Sequence, residues 1–145
     1  MAYAHIAHDC VVENNCILSN SAALAGHVHL GDFSIVSASA GVHQYCQIGA
    51  HAFIGAYSAV FQDVPAYVIV QGSPAVPRVV NAEGLNRRGF SPDDIKQIQT
   101  AFKTLYKRKL SLDEAVKKIK SQAIEFPVVQ PFYESIVNSK RSIVR

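Results

Sequence analysis

A chain of 145 residues, 49% of them hydrophobic, is long enough for one cored domain, or for one domain with an appendage. No unbroken apolar run reaches the length of a membrane span, and the N-terminus lacks the charged, apolar and small-residue series of a signal peptide. Neither an integral membrane segment nor a secretory leader is therefore expected. Three cysteines with no metal-type spacing argue for a reducing cytoplasm rather than a disulfide framework.

The net charge of +3 is distributed unevenly. Residues 1–77 carry four acids and no Lys or Arg, a charge of −4; residues 78–145 carry seven acids and all fourteen cations, a charge of +7. Such a switch marks two units, 1–77 and 78–145. Any anion bound near the first unit must be held by histidines, by backbone N–H groups, or by arginines from the second.

The first unit is a ladder of hexapeptides. Every sixth residue from Ile6 to Val60 is aliphatic: Ile6, Val12, Leu18, Leu24, Leu30, Val36, Val42, Ile48, Ile54 and Val60. Two places before each stands a small residue, from Ala4 and Cys10 through to Ser58. Residues two apart on a strand share a face, so both point inward, and the four-residue gap that follows must turn a corner. Three short strands and three corners make an eighteen-residue triangular coil, and successive coils stack as parallel strands about 4.8 Å apart. The prediction is a three-sided parallel β-helix over roughly residues 2–70, about three coils in this chain. Cys10, Cys16 and Cys46 fall on the small inward position and read as inert core fillers.

Past Pro65 the ladder stops, and residues 71–78 read as a loop leaving the solenoid. Ser91-Pro92 supplies an N-cap and a proline at N1, predicting a helix over 92–108. Ser111 and Glu114 form a capping box ahead of a helix over 112–124. A third, shorter helix is predicted over 131–139. The lysines and arginines along the first two helices read mainly as a solvated face, part of which could receive an acidic partner.

Positions eighteen apart lie above one another. The corner after the Ile6, Leu24, Val42, Val60 wall therefore carries His8-Asp9, Gly26-His27, Gln44-Tyr45 and Gln62-Asp63. His5 and His43 lie on the outer surface of the same wall, whereas His29 and His51 belong elsewhere. A neutral imidazole is the best available base for a hydroxyl near pH 7. Asp9, at a corner, can turn back to hold the second ring nitrogen of His8. Gly26 stacks on His8, leaving room for a reacting group and exposing an N–H that could serve as an oxyanion donor. A metal is the competing use of such an edge, since some hexapeptide β-helix proteins are zinc hydratases, but no third imidazole stands opposite His8 and His27.

The segments His5-Ile-Ala-His8-Asp9-Cys10, Leu24-Ala-Gly26-His27-Val28, Val42-His43-Gln44, Gln62-Asp63-Val-Pro65 and Asn81-Ala-Glu83-Gly84-Leu-Asn-Arg87-Arg88-Gly89-Phe90 closely resemble the acyl-ACP–UDP-N-acetylglucosamine O-acyltransferases. The resemblance implies a left-handed parallel β-helix followed by a small helical domain, and a homotrimer with sites between neighbouring prisms. It implies no metal, no cofactor and no nucleic-acid partner. It also implies transfer of an R-3-hydroxyacyl chain from acyl carrier protein to the glucosamine 3-hydroxyl of UDP-N-acetylglucosamine, the first step of lipid A synthesis. By the same match His8 is the base, Asp9 orients it, and the Gly26 N–H stabilises the oxyanion. His5, His27, His43 and Gln44 would contact sugar, diphosphate or acyl chain, and Asn81, Glu83, Arg87 and Arg88 would hold the nucleotide. Bulk at one or two coil positions, Ala56 among them, could set acyl-chain length. Family members carry several more coils ahead of the first motif, coils that would cover the top of the aliphatic column. A non-catalytic, truncated fragment is therefore a further reading, beside the zinc hydratase.

Overall fold

The computed structural model, describing residues 1–145, contains the expected prism. Ten two-residue strands, β1 (His5–Ile6), β2 (Val11–Val12), β3 (Ile17–Leu18), β4 (Ala23–Leu24), β5 (His29–Leu30), β6 (Ile35–Val36), β7 (Gly41–Val42), β8 (Gln47–Ile48), β9 (Phe53–Ile54) and β10 (Ala59–Val60), follow one another at six-residue intervals. They sort into three parallel walls: β1, β4, β7 and β10 form the first, β2, β5 and β8 the second, and β3, β6 and β9 the third. Partners are eighteen residues apart, as in Ile6 opposite Leu24 and Leu24 opposite Val42.

The corners share a feature that composition conceals. Tyr3, Asp9, Asn15, Ser21, His27, Phe33, Ser39, Tyr45, His51 and Tyr57 all have φ between 56° and 66°, and none is glycine. Left-handed conformation is uncommon for such residues and persists where the surrounding structure imposes it. Here the stacked coil does so: the N–H of each such residue from Ser21 onward bonds to the coil above, as in His27 to His8 O at 3.0 Å and Tyr45 to Gly26 O at 3.0 Å.

The aliphatic column is buried from Leu24 to Val60, every member 3% exposed or less. In the first coil Ile6 is 50% and Val12 38% exposed, because no coil lies above them here. The cysteines behave as fillers. Cys10 and Cys16 direct their thiols at the carbonyls of Ala25 and Gly31. Burial, with Asp63 as a lesser cause, pushes the Cys46 thiol up to about 11.

The last coil is two residues short: Ile48 pairs with Val64 and Ile54 with Val70, sixteen apart instead of eighteen. Asp63 consequently leaves the polar edge on which the eighteen-residue map placed it and is buried, 1% exposed. Its Oδ1 accepts from the Gln47 N–H at 2.8 Å, and its Oδ2 from the Ser139 hydroxyl at 2.6 Å and the Lys140 N–H at 3.2 Å. It thereby latches the C-terminal tail to the solenoid.

Residues 71–78 are not a loop. Strand β11 (Val68–Gly72) joins the third wall beside β9 and turns antiparallel into β12 (Ala75–Val80). The ladder shifts register between Ile69 and Val70, and Pro77 sits at that irregularity on the outermost strand, where its missing N–H costs no ladder bond. A short helix the sequence did not announce, α1 (Ala82–Arg87), follows with Asn81 as its N-cap. Helix α2 (Pro92–Tyr106) begins at the expected Ser91 cap, and α3 (Leu112–Glu125) at the expected capping box. A 3-10 turn at Pro127–Val129 leads into α4 (Gln130–Val137). Ile98, Leu105, Ile119 and Phe132 join the helices to the same continuous core as the column. No helix is long and apolar enough to cross a membrane.

Candidate functional site on the first prism edge

His8 and Asp9 occupy the corner after β1. The left-handed φ of Asp9, 59°, turns its side chain back along the corner, so that its Oδ2 lies 2.9 Å from His8 Nδ1. That bond, and then the charge of His27, holds the Asp9 carboxyl below the usual carboxylate range. An ionised carboxylate only accepts, so Nδ1 carries the proton and Nε2 is the free basic nitrogen. His8 is 73% exposed in its side chain, open to a reactant.

One coil on, the space left by Gly26 is filled by the His8 ring rather than standing open. A Cβ there would lie 2.7 Å from His8 Cε1 and 2.8 Å from Nε2. Gly26 is buried, and its N–H donates to no acceptor in the chain. The N–H at the same corner position is likewise unpaired in Asn20, Asp32, Ala38 and Gln44, but of these residues only Gly26 is buried. Its Cα faces the His8 ring.

His27 completes the cluster. Its Nε2 is 3.7 Å from Asp9 Oδ2, its ring meets His8 edge-on at 5.2 Å, and its other side stacks on Tyr45 at 4.5 Å. Tyr45 was not among the candidates. The signal for it is the spacing of Asp9, His27 and Tyr45, eighteen apart on the left-handed corner position. Gln44 is exposed at the same corner, without a hydrogen-bond partner in the chain. His5 and His43 line a groove of about 380 Å³ on the outer face of the first wall, floored by Ala23, Gly41 and Ala59 and ended by Phe61. Small outward residues keep this groove open: a Cβ on Gly41 would touch nothing within 4 Å.

The remaining candidates stand on another edge. Asn81, Glu83, Arg87 and Arg88 lie on and beside α1, above a groove of about 410 Å³ on the outer face of the third wall. Arg87 pairs with Glu83 at 2.9 Å. Arg88 reaches the corner between the second and third walls, where its guanidinium lies 5.3 Å from the Phe33 ring centroid and 3.2 Å from His51 Nδ1. Asn81 is 5% exposed; its side chain accepts from the Gly84 N–H and donates to His51 O. Within one chain, then, the imidazole–carboxylate pair and the arginines occupy different edges of the prism. Ala56 lies at the third corner, between the third and first walls, its carbonyl accepting from Gln71.

His8, Asp9 and His27 could present three donor atoms within 4.8 Å of one another to a metal ion. A cation taken by His8 through Nδ1 would have to replace the 2.9 Å His8–Asp9 hydrogen bond.

Comparison with known proteins gives a consistent result. The family profile for domain 2 of UDP N-acetylglucosamine O-acyltransferase matches residues 63–144. The acyl-[acyl-carrier-protein]–UDP-N-acetylglucosamine O-acyltransferase of Pseudomonas entomophila is 52% identical over all 145 residues, which cover 56% of that protein. The crystal structure of the UDP-N-acetylglucosamine acyltransferase of Francisella novicida superposes with a TM-score of 0.98 at 44% identity, over 100% of this chain and 53% of that one. The corresponding Campylobacter jejuni structure gives 0.93 at 40%, over 100% and 57%. The shared fold is a left-handed parallel β-helix with C-terminal helices. The chain spans about half the length of the curated relatives it matches. These relatives favour acyl transfer over a zinc hydratase.

Proposed function

We propose, for a chain that belongs to the UDP-N-acetylglucosamine O-acyltransferase family, that its first prism edge transfers an R-3-hydroxyacyl group from acyl carrier protein to the glucosamine 3-hydroxyl of UDP-N-acetylglucosamine. This is the opening reaction of lipid A synthesis, and we place it in the cytoplasm. The observation that carries the proposal is the free Nε2 of His8, its ring fixed by the 2.9 Å bond to Asp9 and lying against Gly26, a buried residue whose N–H has no acceptor in the chain.

In this reading His8 Nε2 takes the proton of the sugar hydroxyl as its oxygen attacks the thioester carbonyl. The tetrahedral oxyanion meets the Gly26 N–H, a fixed dipole that needs no reorganisation at the moment of reaction. Collapse expels the carrier-protein thiolate, which recovers the proton from the imidazolium. Asp9 holds the ring and its tautomer and stabilises the charge that forms. No cysteine is placed to act as a covalent relay, and the Cys46 thiol, raised to about 11, is a poor nucleophile near neutral pH.

His5, His43 and the groove between them suit an acyl chain, with His27 and Gln44 toward the sugar. Asn81, Glu83, Arg87 and Arg88 suit the nucleotide. Because these two groups stand on different edges, one site using both must lie between two chains. This supports a homotrimer in which the first edge of one prism faces the α1 side of the next. The division at residue 77 has the same logic, with all six imidazoles and no Lys or Arg in the solenoid and all fourteen Lys and Arg beyond it.

The test is product analysis. Acyl carrier protein thioester and UDP-N-acetylglucosamine, incubated with the protein, should yield a 3-O-acylated UDP-sugar by mass spectrometry, from a species that sediments as a trimer. An active monomer would overturn the shared site, and hydrolysis of the thioester without sugar acylation would overturn the acceptor.

A further inference from the structure

His51 stands outside the edge that carries the proposed chemistry, yet it touches both ends of α1. Its carbonyl oxygen accepts from Asn81 Nδ2 at 3.0 Å, and Asn81 in turn caps the helix through the Gly84 N–H. Its ring nitrogen Nδ1 lies 3.2 Å from an Arg88 guanidinium nitrogen at the C-terminal end of the same helix. We propose that His51 is a positioning residue that clamps α1 to the prism and holds the Arg88 guanidinium ready, with its charge uncancelled, for the diphosphate of a nucleotide sugar; the inference rests on the nucleotide reading of α1 above.

The ring is held rigidly. Phe33 stacks on it at 5.0 Å with an 8° interplanar angle, Tyr67 lies at 5.7 Å and 27°, and the edge of Phe90 meets it at 5.1 Å. The first two contacts follow from the coil: Phe33 and His51 are eighteen residues apart, and Tyr67, after the shortened coil, is sixteen further on. All three have positive φ. A guanidinium has five donors and no acceptor, so Nδ1 must offer its lone pair and Nε2 must carry the proton. Burial, then the nearby Arg88 charge, lowers the His51 pKa to about 4, with Asp32 opposing, so the ring is a neutral acceptor at any physiological pH.

The choice of acceptor is the central point. A carboxylate in this place would hold the arginine equally well but would neutralise it. An imidazole orients the guanidinium while leaving a full positive charge, and no carboxylate forms an ion pair with Arg88 anywhere in the chain. Phe33 adds a second neutral restraint through its ring face at 5.3 Å. Arg87 is the contrast, exposed to solvent and paired at the surface with Glu83 at 2.9 Å instead of being held against the prism. Of the two arginines, Arg88 is thus the one prepared for an anion, and guanidinium suits a phosphate because two parallel N–H groups match two oxygens.

Titration calorimetry of the full chain with UDP tests the proposal. Arg88→Ala should weaken binding. His51→Phe, which keeps the aromatic stack but removes the acceptor, should weaken it about five- to tenfold, the worth of one hydrogen bond. The double variant should bind no more weakly than Arg88→Ala alone, since His51 acts through Arg88. His51→Gln, which restores an acceptor oxygen, should recover part of the loss. If His51→Phe binds UDP like the unmodified protein while Arg88→Ala does not, the clamp is wrong and the nucleotide reading survives. If Arg88→Ala binds normally, the nucleotide reading falls and takes the clamp with it. Nitrogen-15 spectra of the unmodified protein and of Arg88→Ala decide the matter even if His51→Phe fails to fold. Nδ1 of His51 should be unprotonated from pH 5 to 8 and should shift in Arg88→Ala. A protonated Nδ1, or one indifferent to Arg88, overturns the proposal.

Discussion

Gly26→Ala separates positioning from folding with a single methyl group. The added Cβ would lie 2.7 Å from His8 Cε1 and 2.8 Å from Nε2. Ordinary carbon contacts begin near 3.5 Å, so the imidazole must retreat by roughly 1 Å. It can do so because the side chain is 73% exposed and touches the next coil only through Gly26 and the edge of the His27 ring. The φ of Gly26 is not in the left-handed region, so alanine is not strained there. Gly26 is buried, but the atoms a methyl would meet belong to an exposed, movable ring, so stability should change by no more than the roughly 1 kcal/mol typical of point substitutions. Turnover should not escape. The 2.9 Å bond to Asp9 and the placement of Nε2 both depend on the present ring position, and a misplacement of about 1 Å costs about 10²-fold. The assay pairs steady-state acyl transfer with thermal unfolding of the same preparations. A Gly26→Ala variant with unaltered turnover would refute the claim that His8 works from this position. A midpoint lowered by many degrees would show the ring to be structurally trapped rather than free to move.

Three further outcomes follow from the core and its attachments. Asp63→Ala removes a buried carboxylate that accepts from Gln47, Ser139 and Lys140. It should cost about 2–5 kcal/mol in chemical denaturation and release the tail from residue 139 onward to proteolysis; unchanged stability would show that the latch is not needed. Leu24→Asp places a charge at a fully buried column position and should cost several kcal/mol, abolishing the cooperative transition seen by circular dichroism; a retained midpoint would overturn the inward assignment. His51 titrates at about 4 in the folded chain against an ordinary 6.5, so below pH 6.5 the unfolded chain takes up a proton that the folded one refuses. That share of stability is complete above pH 6.5 and is lost as pH falls toward 4, with Arg88 and Asp32 the charged groups facing the ring. His51→Gln should flatten this part of the pH–stability curve, and an unaltered curve would contradict the burial of the ring.

The solenoid was legible because its signal is one-dimensional. A six-residue aliphatic period has one geometric solution, and the eighteen-residue map that follows stacks Asp9 near His27 and Gly26 against His8 without a coordinate. The map failed where the period failed. Two residues are missing from the last coil, so Asp63 turned inward although its position predicted an exposed corner. The hairpin β11–β12 is hidden because Gly72, Pro74 and Pro77 read as loop residues; Gly72 and Pro74 form its turn, and Pro77 is accommodated on the outermost strand at the register shift. Helix α1 is one and a half turns long with a glycine inside, too short for any periodic pattern, and is held by Asn81 and His51 rather than by its own propensity. His51 carries no signal of its own in the sequence because it lies off the first edge, where the other candidates gather. Its partners come from the corner stack and from a helix more than thirty residues later, a contact no local reading supplies. Gly26 was singled out for the right neighbour, but the volume it vacates belongs to the His8 ring.

The central claim is that His8 Nε2 is the base, and the most direct measurement is the turnover of His8→Ala and Asp9→Asn with acyl carrier protein thioester and UDP-N-acetylglucosamine, each variant first shown to fold. His8→Ala should lose at least about 10²–10⁴-fold in kcat, the range for removal of a positioned general base. Asp9→Asn should lose less, because it disturbs tautomer and orientation but leaves the imidazole in place. Near-normal turnover in His8→Ala would contradict the account and move the search for the base to His27, the other imidazole within reach of Asp9.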